Sequence, residues 1–164
     1  MTATPEIETR AETPYAAVRT QVTWAEVAGL GRYFEQVFGW LGARGLEPAG
    51  APFFRYNVID MARELQIDVG VPVAEAALGD DRVVTGVLPA GRYATLMHVG
   101  HPSELAGVNK TLLDWAAGQG LTWDMSPGEG GEHWGGRVEF YPTNPAEEPD
   151  MNKWVTQLAF RLAD

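Results

Sequence analysis

Glu139 and Tyr141 stand two residues apart in the stretch RVEFYPTNP, Arg137 to Pro145. On a strand, residues at that spacing project from one face. A carboxylate beside a phenol supplies an anion, a hydrogen-bond donor and an aromatic ring. Val138, Phe140 and Tyr141 favour a strand. Alternation then groups Val138 with Phe140, and Arg137 with Glu139 and Tyr141. At this level two environments for Glu139 stay open: water, where glutamate is usually found, and the floor of a cleft.

Other residues capable of chemistry are less persuasive. His98, His101 and Glu104 form H-x-x-H-x-x-E, but His98 falls at a strand end and Glu104 at a helix start, where a capping role is expected. No metal site and no cofactor is assigned. The run GEGGEHWGG carries Glu129 and Glu132, which repel phosphate, and it leads into a strand. It is expected to be a flexible loop, able to act as a lid with Trp134 turned inward. Glu147, Glu148 and Asp150 read as a solvated acidic turn. Ser103 and Ser126 lie outside any G-x-S-x-G. The absence of cysteine excludes disulfides, thiolate ligands and cysteine nucleophiles. A formal net charge of −10 argues against binding a phosphate backbone. The start, MTATPEIETR, lacks a basic region followed by an apolar core, and no apolar run reaches membrane-spanning length. A cytoplasmic protein with no direct nucleic-acid or membrane partner is expected.

The elements that must position Glu139 and Tyr141 are written twice. An offset of 78 residues lays YAAVRTQVTWAEVAGL on YATLMHVGHPSELAGV and pairs Tyr15 with Tyr93, Glu26 with Glu104 and Gly42 with Gly120. TWAE is a capping box, and HPSE is its counterpart with Pro102 at the first helical position. Val27, Leu30, Phe34, Val37 and Leu41 form a stripe at helical spacing; Leu105, Val108, Leu112 and Trp115 repeat it. Gly45 and Gly120 follow the two helices. Trp24, Tyr33 and Trp40 are expected to serve packing.

Strand-like segments flank each helix, so each half reads β-α-β-β, with an extra early segment in EIETR and in RVVTGVL. Residues 1–164 are expected to form a single domain: a first repeat near 5–73, a joint at 74–81 and a second repeat near 82–163. The fold class is α+β, an antiparallel sheet built from a duplicated module with pseudo-two-fold symmetry and both helices on one side. An offset of 85 aligns Phe54 and Tyr56 with Glu139 and Tyr141. Glu139 thus takes a place where the other half keeps a phenylalanine, on a face shared with aromatic rings.

Taken together, APFFRY, DVGVPV, LPAGRYATLMHVG, RVEFYPTNPAEEPD and KWVTQLAFRL resemble the GyrI-like effector-binding family, across nearly the whole chain. The resemblance implies a ligand cleft between the two halves for lipophilic, often cationic, aromatic compounds. It places an acid on the cleft floor in an E-x-Y strand, matching Glu139 and Tyr141, and an aromatic wall matching Tyr56. Phe54 shares that face, and Trp134 and Trp154 are added as ligand-binding candidates by position. Many family members carry a DNA-binding segment. Here strand-like sequence begins near Ile7, so action as a DNA-binding regulator by this chain alone is not expected.

Three readings follow from the resemblance. The first is a stand-alone binding protein that senses or sequesters lipophilic aromatic compounds. The second is a hydrolase opening strained electrophilic rings, such as the cyclopropanes of DNA-alkylating natural products, with Glu139 and Tyr141 catalytic. The third is a protein-interaction module of topoisomerase-inhibitor type, with no partner specified.

Overall fold

The computed structural model describes residues 2–163; Met1 and Asp164 of the expected domain lie outside the described residues. Strand β1 (Glu6–Arg10) leads into β2 (Thr13–Val22). A 3-10 stretch, Trp24–Arg32, runs into helix α1 (Tyr33–Ala43). Strands β3 (Phe53–Ile59), β4 (Leu65–Pro72), β5 (Val84–Leu88) and β6 (Gly91–Val99) follow. A short turn, Pro102–Glu104, opens helix α2 (Leu105–Gly118). Strands β7 (Met125–Gly128), β8 (Gly131–Trp134), β9 (Arg137–Phe140) and β10 (Val155–Arg161) complete the chain.

All ten strands join one antiparallel sheet in the order β1-β6-β10-β9-β3-β4-β2-β5, with the β7–β8 hairpin attached to β3. The order reads alike from either end: each half contributes three adjacent strands, and β9 pairs with β3 at the centre. The two early segments, expected to serve their own halves, do the reverse. β1 pairs with β6 and β5 pairs with β2, so each edge strand belongs to the opposite half of the sequence.

Both helices cover the same face. Helix α1 sets Val37, Trp40 and Leu41 on Ala16, Val18, Val71 and Val73. Helix α2 sets Val108 and Leu112 on Ala94, Leu96, Leu158 and Phe160. A single row of directly opposed residues connects these two cores: Val18, Val69, Phe54, Glu139, Leu158 and Leu96. Opposed residues share a face. Glu139 is therefore the one charged member of a row of five apolar side chains, on β9 between the two helices. A bulge at Asn57 in β3 shifts the register after Tyr56, which brings Ile59 into the same apolar cluster as Phe54 and Tyr56.

Several local expectations are corrected. The first helix does not run as α-helix from its capping box. Glu26 does accept from the Thr23 backbone N–H at 2.9 Å, but Gly29 and Gly31 weaken the α-helix, and the stretch stays 3-10 until Tyr33. Glu104 does not cap. The His101 ring accepts the Ser103 backbone N–H at 3.0 Å, which frees the Glu104 carboxylate to meet buried His98 at 3.1 Å. Trp24, expected to pack, is half exposed, whereas Trp40 is buried. The glycine-rich run is not a flexible loop. It is the β7–β8 hairpin, in which Gly130 and Gly131 adopt φ of 85° and 130°.

On the opposite face, buried Asp68 accepts from the Tyr15 hydroxyl at 2.7 Å and from Arg19 at 2.8 and 3.0 Å. Burial works to raise the Asp68 pKa, and these hydrogen bonds more than offset it, leaving the carboxyl below its usual range. Burial and the nearby Asp68 push the Tyr15 phenol up to about 12. Arg55 extends this clasp by donating to the Tyr15 hydroxyl and to the carbonyls of Val87 and Gly135.

Candidate functional site

The strand ladder carries Arg137, Glu139 and Tyr141 onto the helix-bearing face, between the parts of the sheet that α1 and α2 cover. Glu139 is only 6% exposed. The Tyr141 hydroxyl donates to its Oε1 at 2.6 Å, and the Asn109 amide of α2 approaches Oε2 at 3.5 Å. The first contact is short, as hydroxyl–carboxylate bonds are; the second is at the limit of a hydrogen bond. Burial raises the Glu139 pKa, and the Tyr141 and Asn109 contacts and the Arg137 charge only partly offset it. Burial also pushes the Tyr141 and Tyr56 phenols well above their ordinary value, the Glu139 charge adding to both. These phenols remain neutral donors at any physiological pH.

Aromatic rings close around the carboxylate. Phe34 of α1 stacks on Phe54 with centroids 5.5 Å apart. Tyr141 meets Phe54 edge-on at 5.0 Å and Phe34 at 6.2 Å. Tyr56 is buried in the same cluster and lies close enough to Tyr141 for each to influence the other's ionisation. Glu139, Tyr141, Tyr56 and Phe54, all expected from sequence, are thus brought together.

Trp134 belongs to the same buried cluster, whereas Trp154 does not. Trp134 is buried against Trp123 and Phe160 and underlies the Arg137 guanidinium, 4.6 Å from the ring centroid. Trp154 is on the helix-bearing face by strand alternation, yet four residues, roughly 13 Å, along β10 from Leu158. Its indole N–H is committed to the Glu148 carbonyl at 2.7 Å. It stands away from Glu139, beyond the start of β10.

Three site residues escaped the sequence reading: Phe34, Asn109 and Arg137. Arg137 had been placed on the correct face, but its partners were invisible. Its guanidinium lies over Trp134 and Phe160 and donates to Asn109 Oδ1 at 3.3 Å. Burial lowers its pKa. Asn109 left a usable signal: four residues after Leu105 and three before Leu112, it occupies an inward position of the α2 stripe, where a polar residue needs a reason.

Two cavities lie away from Glu139. One, of about 190 Å³, is lined on the far face by Leu88, Tyr93, Val138 and Phe140. The other, of about 520 Å³, is a shallow opening beside Arg55 and Asp124. Neither contains a buried carboxylate, and Arg10 at the first is already committed to Glu8 and Gln157.

The model of the GyrI-like small molecule binding domain matches residues 3–163. No curated protein is significantly similar in sequence. Among solved structures, the EcmrR C-terminal domain is similar with a TM-score of 0.75, at 16% identity over 98% of each chain. In the DNA complex of EcmrR the similarity has a TM-score of 0.76, and the present chain spans 57% of that longer chain. SAV2435 bound to tetraphenylphosphonium is similar with a TM-score of 0.68, at 9% identity over 98% of this chain and 94% of that one. A hydrolase encoded by lin2189 from Listeria innocua is similar with a TM-score of 0.62, at 12% identity over 97% of this chain and 91% of that one. At these identities the likeness is one of fold. No described helix is long and apolar enough to cross a membrane.

Proposed function

The chain belongs to the GyrI-like small molecule binding domain family, and from that premise we propose that it binds lipophilic aromatic compounds carrying a positive charge, for sensing or sequestration, in a groove that opens over Glu139 between the two helices. The observation that supports this most is Glu139. It is a buried carboxylate whose acceptors meet a phenol and a distant amide, inside a shell of Phe34, Phe54, Tyr56 and Tyr141. Burying a carboxylate is costly, and an organic cation enclosed by aromatic faces offsets that cost. SAV2435, which shares the fold, binds such a cation, tetraphenylphosphonium.

The reading makes binding depend on the ionisation of Glu139. Its pKa lies above the usual 4.5, so the carboxylate is lost at a higher pH than for an exposed glutamate. Affinity for tetraphenylphosphonium should be full above the Glu139 pKa and fall as pH is lowered through it. Affinity for neutral triphenylphosphine oxide should stay level. Calorimetric titrations across pH check this, and a cation affinity independent of pH would contradict it.

A second reading rests on the 2.6 Å bond between Tyr141 and Glu139. A carboxylate of raised pKa can take a proton from water as the water oxygen attacks a cyclopropane carbon; the ring C–C bond that breaks passes its electron pair to a conjugated carbonyl oxygen of the substrate, which the phenol supports by a hydrogen bond. In that reading a strained cyclopropane electrophile is released as its ring-opened water adduct, whereas a pure binder returns the compound intact.

A further inference from the structure

We propose that Arg137 is a resident cation that competes with charged ligands for the field of Glu139 and so sets the charge selectivity of the groove. This rests on Glu139 being the ligand anchor. The geometry is specific. Arg137 and Glu139 share a face of β9, two residues apart. The guanidinium lies against the rings of Trp134 and Phe160, 4.6 and 4.5 Å from their centroids. Its Nη2 donates to Asn109 Oδ1 at 3.3 Å. The Asn109 Nδ2 donates to the Leu105 carbonyl at 2.9 Å and approaches Glu139 Oε2 at 3.5 Å. A carbonyl must receive a donor and a guanidinium must find an acceptor, so these contacts fix which end of the amide faces which charge. One amide therefore separates the cation from the anion.

The separation has a consequence for ligands. Arg137 lies in the fields of both Glu139 and Glu132 and so offsets negative charge at the proposed site. A bound cation gains from Glu139 but is repelled by Arg137 across little more than the width of an amide. At an effective dielectric of about 20 and a separation of roughly 7–10 Å, that repulsion weakens cation binding on the order of ten-fold or more. A neutral aromatic ligand does not feel it. Arg137 thus narrows the preference for cations and keeps the groove open to neutral compounds of the same shape. The Glu132 and Glu139 charges and the two aromatic faces work against the desolvation that lowers the Arg137 pKa.

The test compares wild type with Arg137→Met, which keeps the stem and removes the charge, and Arg137→Lys, which keeps the charge. Arg137→Gln serves as a second neutral variant if the methionine variant does not fold. Calorimetry with tetraphenylphosphonium should show affinity rising about ten-fold in Arg137→Met and unchanged within about two-fold in Arg137→Lys. Affinity for triphenylphosphine oxide should stay within about two-fold in both. A carbon-13 NMR titration of the Glu139 carboxyl provides a readout free of ligand. Its midpoint should rise in the neutral variant and hold in the lysine variant. A neutral variant that leaves both cation affinity and the Glu139 midpoint unchanged overturns the inference. If Glu139→Gln also leaves cation binding untouched, the anchor reading fails with it. If Glu139→Gln weakens cation binding and the neutral Arg137 variant does not strengthen it, only the role of Arg137 is lost. Failure of wild type and neutral variant alike to bind tetraphenylphosphonium overturns both.

Discussion

A carboxylate in an apolar row is an unfavourable place to keep a charge, and Glu139 shows how far local contacts compensate. Tyr141 supplies one strong hydrogen bond and Asn109 a marginal one, yet the pKa still rises because burial outweighs both. The sign of the effect on folding follows. A folded-state pKa above the unfolded value means that the stability this group contributes is present below the unfolded pKa and lost as pH rises through the folded one. Glu139→Gln removes that dependence. It should melt at the same or a higher temperature than wild type at pH 7, with the difference shrinking or reversing near pH 4. Thermal melts at both pH values check this; a variant less stable at pH 7 by an amount independent of pH would show Glu139 to be a structural partner instead. Glu139, Tyr141, Tyr56 and Phe54 were legible because strand alternation and the 85-residue offset act along the chain. Arg137 and Asn109 were not, because their relation runs from a strand to a helix. An arginine two residues from a glutamate reads equally well as part of a solvated face.

Among the elements, the helices and inner strands followed their periodicity, while the connections departed from it. The capping boxes and the apolar stripes marked α1 and α2, and Gly45 and Gly120 terminate them with φ of 66° and 70°. The exchange of β1 and β5 between halves was not legible, since a strand's sequence does not name its neighbour. The β7–β8 hairpin was missed because glycine density resembles flexibility. Here the glycines serve close approach. A Cβ on Gly131 would lie 2.3 Å from the Ile59 carbonyl oxygen, at a φ of 130° that side chains avoid. Gly131→Ala should destabilise the fold by about 1–3 kcal/mol through this strain. It should also loosen Trp134, whose fluorescence would shift toward that of an exposed indole. Unchanged stability on chemical denaturation would mean that the hairpin adapts at little cost.

For the whole molecule, the sheet carries both helices on one face, and the proposed groove lies over the pairing of β9 with β3. Architecture and chemistry meet at one pair of residues, Phe54 and Glu139, where the two halves of the chain join. The acidic excess, 22 acidic against 12 basic residues, adds a long-range attraction for cations that salt screens, whereas a contact with buried Glu139 is screened far less. The proposed function therefore depends on one buried charge more than on the surface. Calorimetric titration of tetraphenylphosphonium and triphenylphosphine oxide into wild type and Glu139→Gln, at moderate salt, tests this directly. The account predicts that the substitution costs the cation about 1.5–3 kcal/mol and the neutral compound much less. Equal affinities in wild type and variant for both compounds would contradict it.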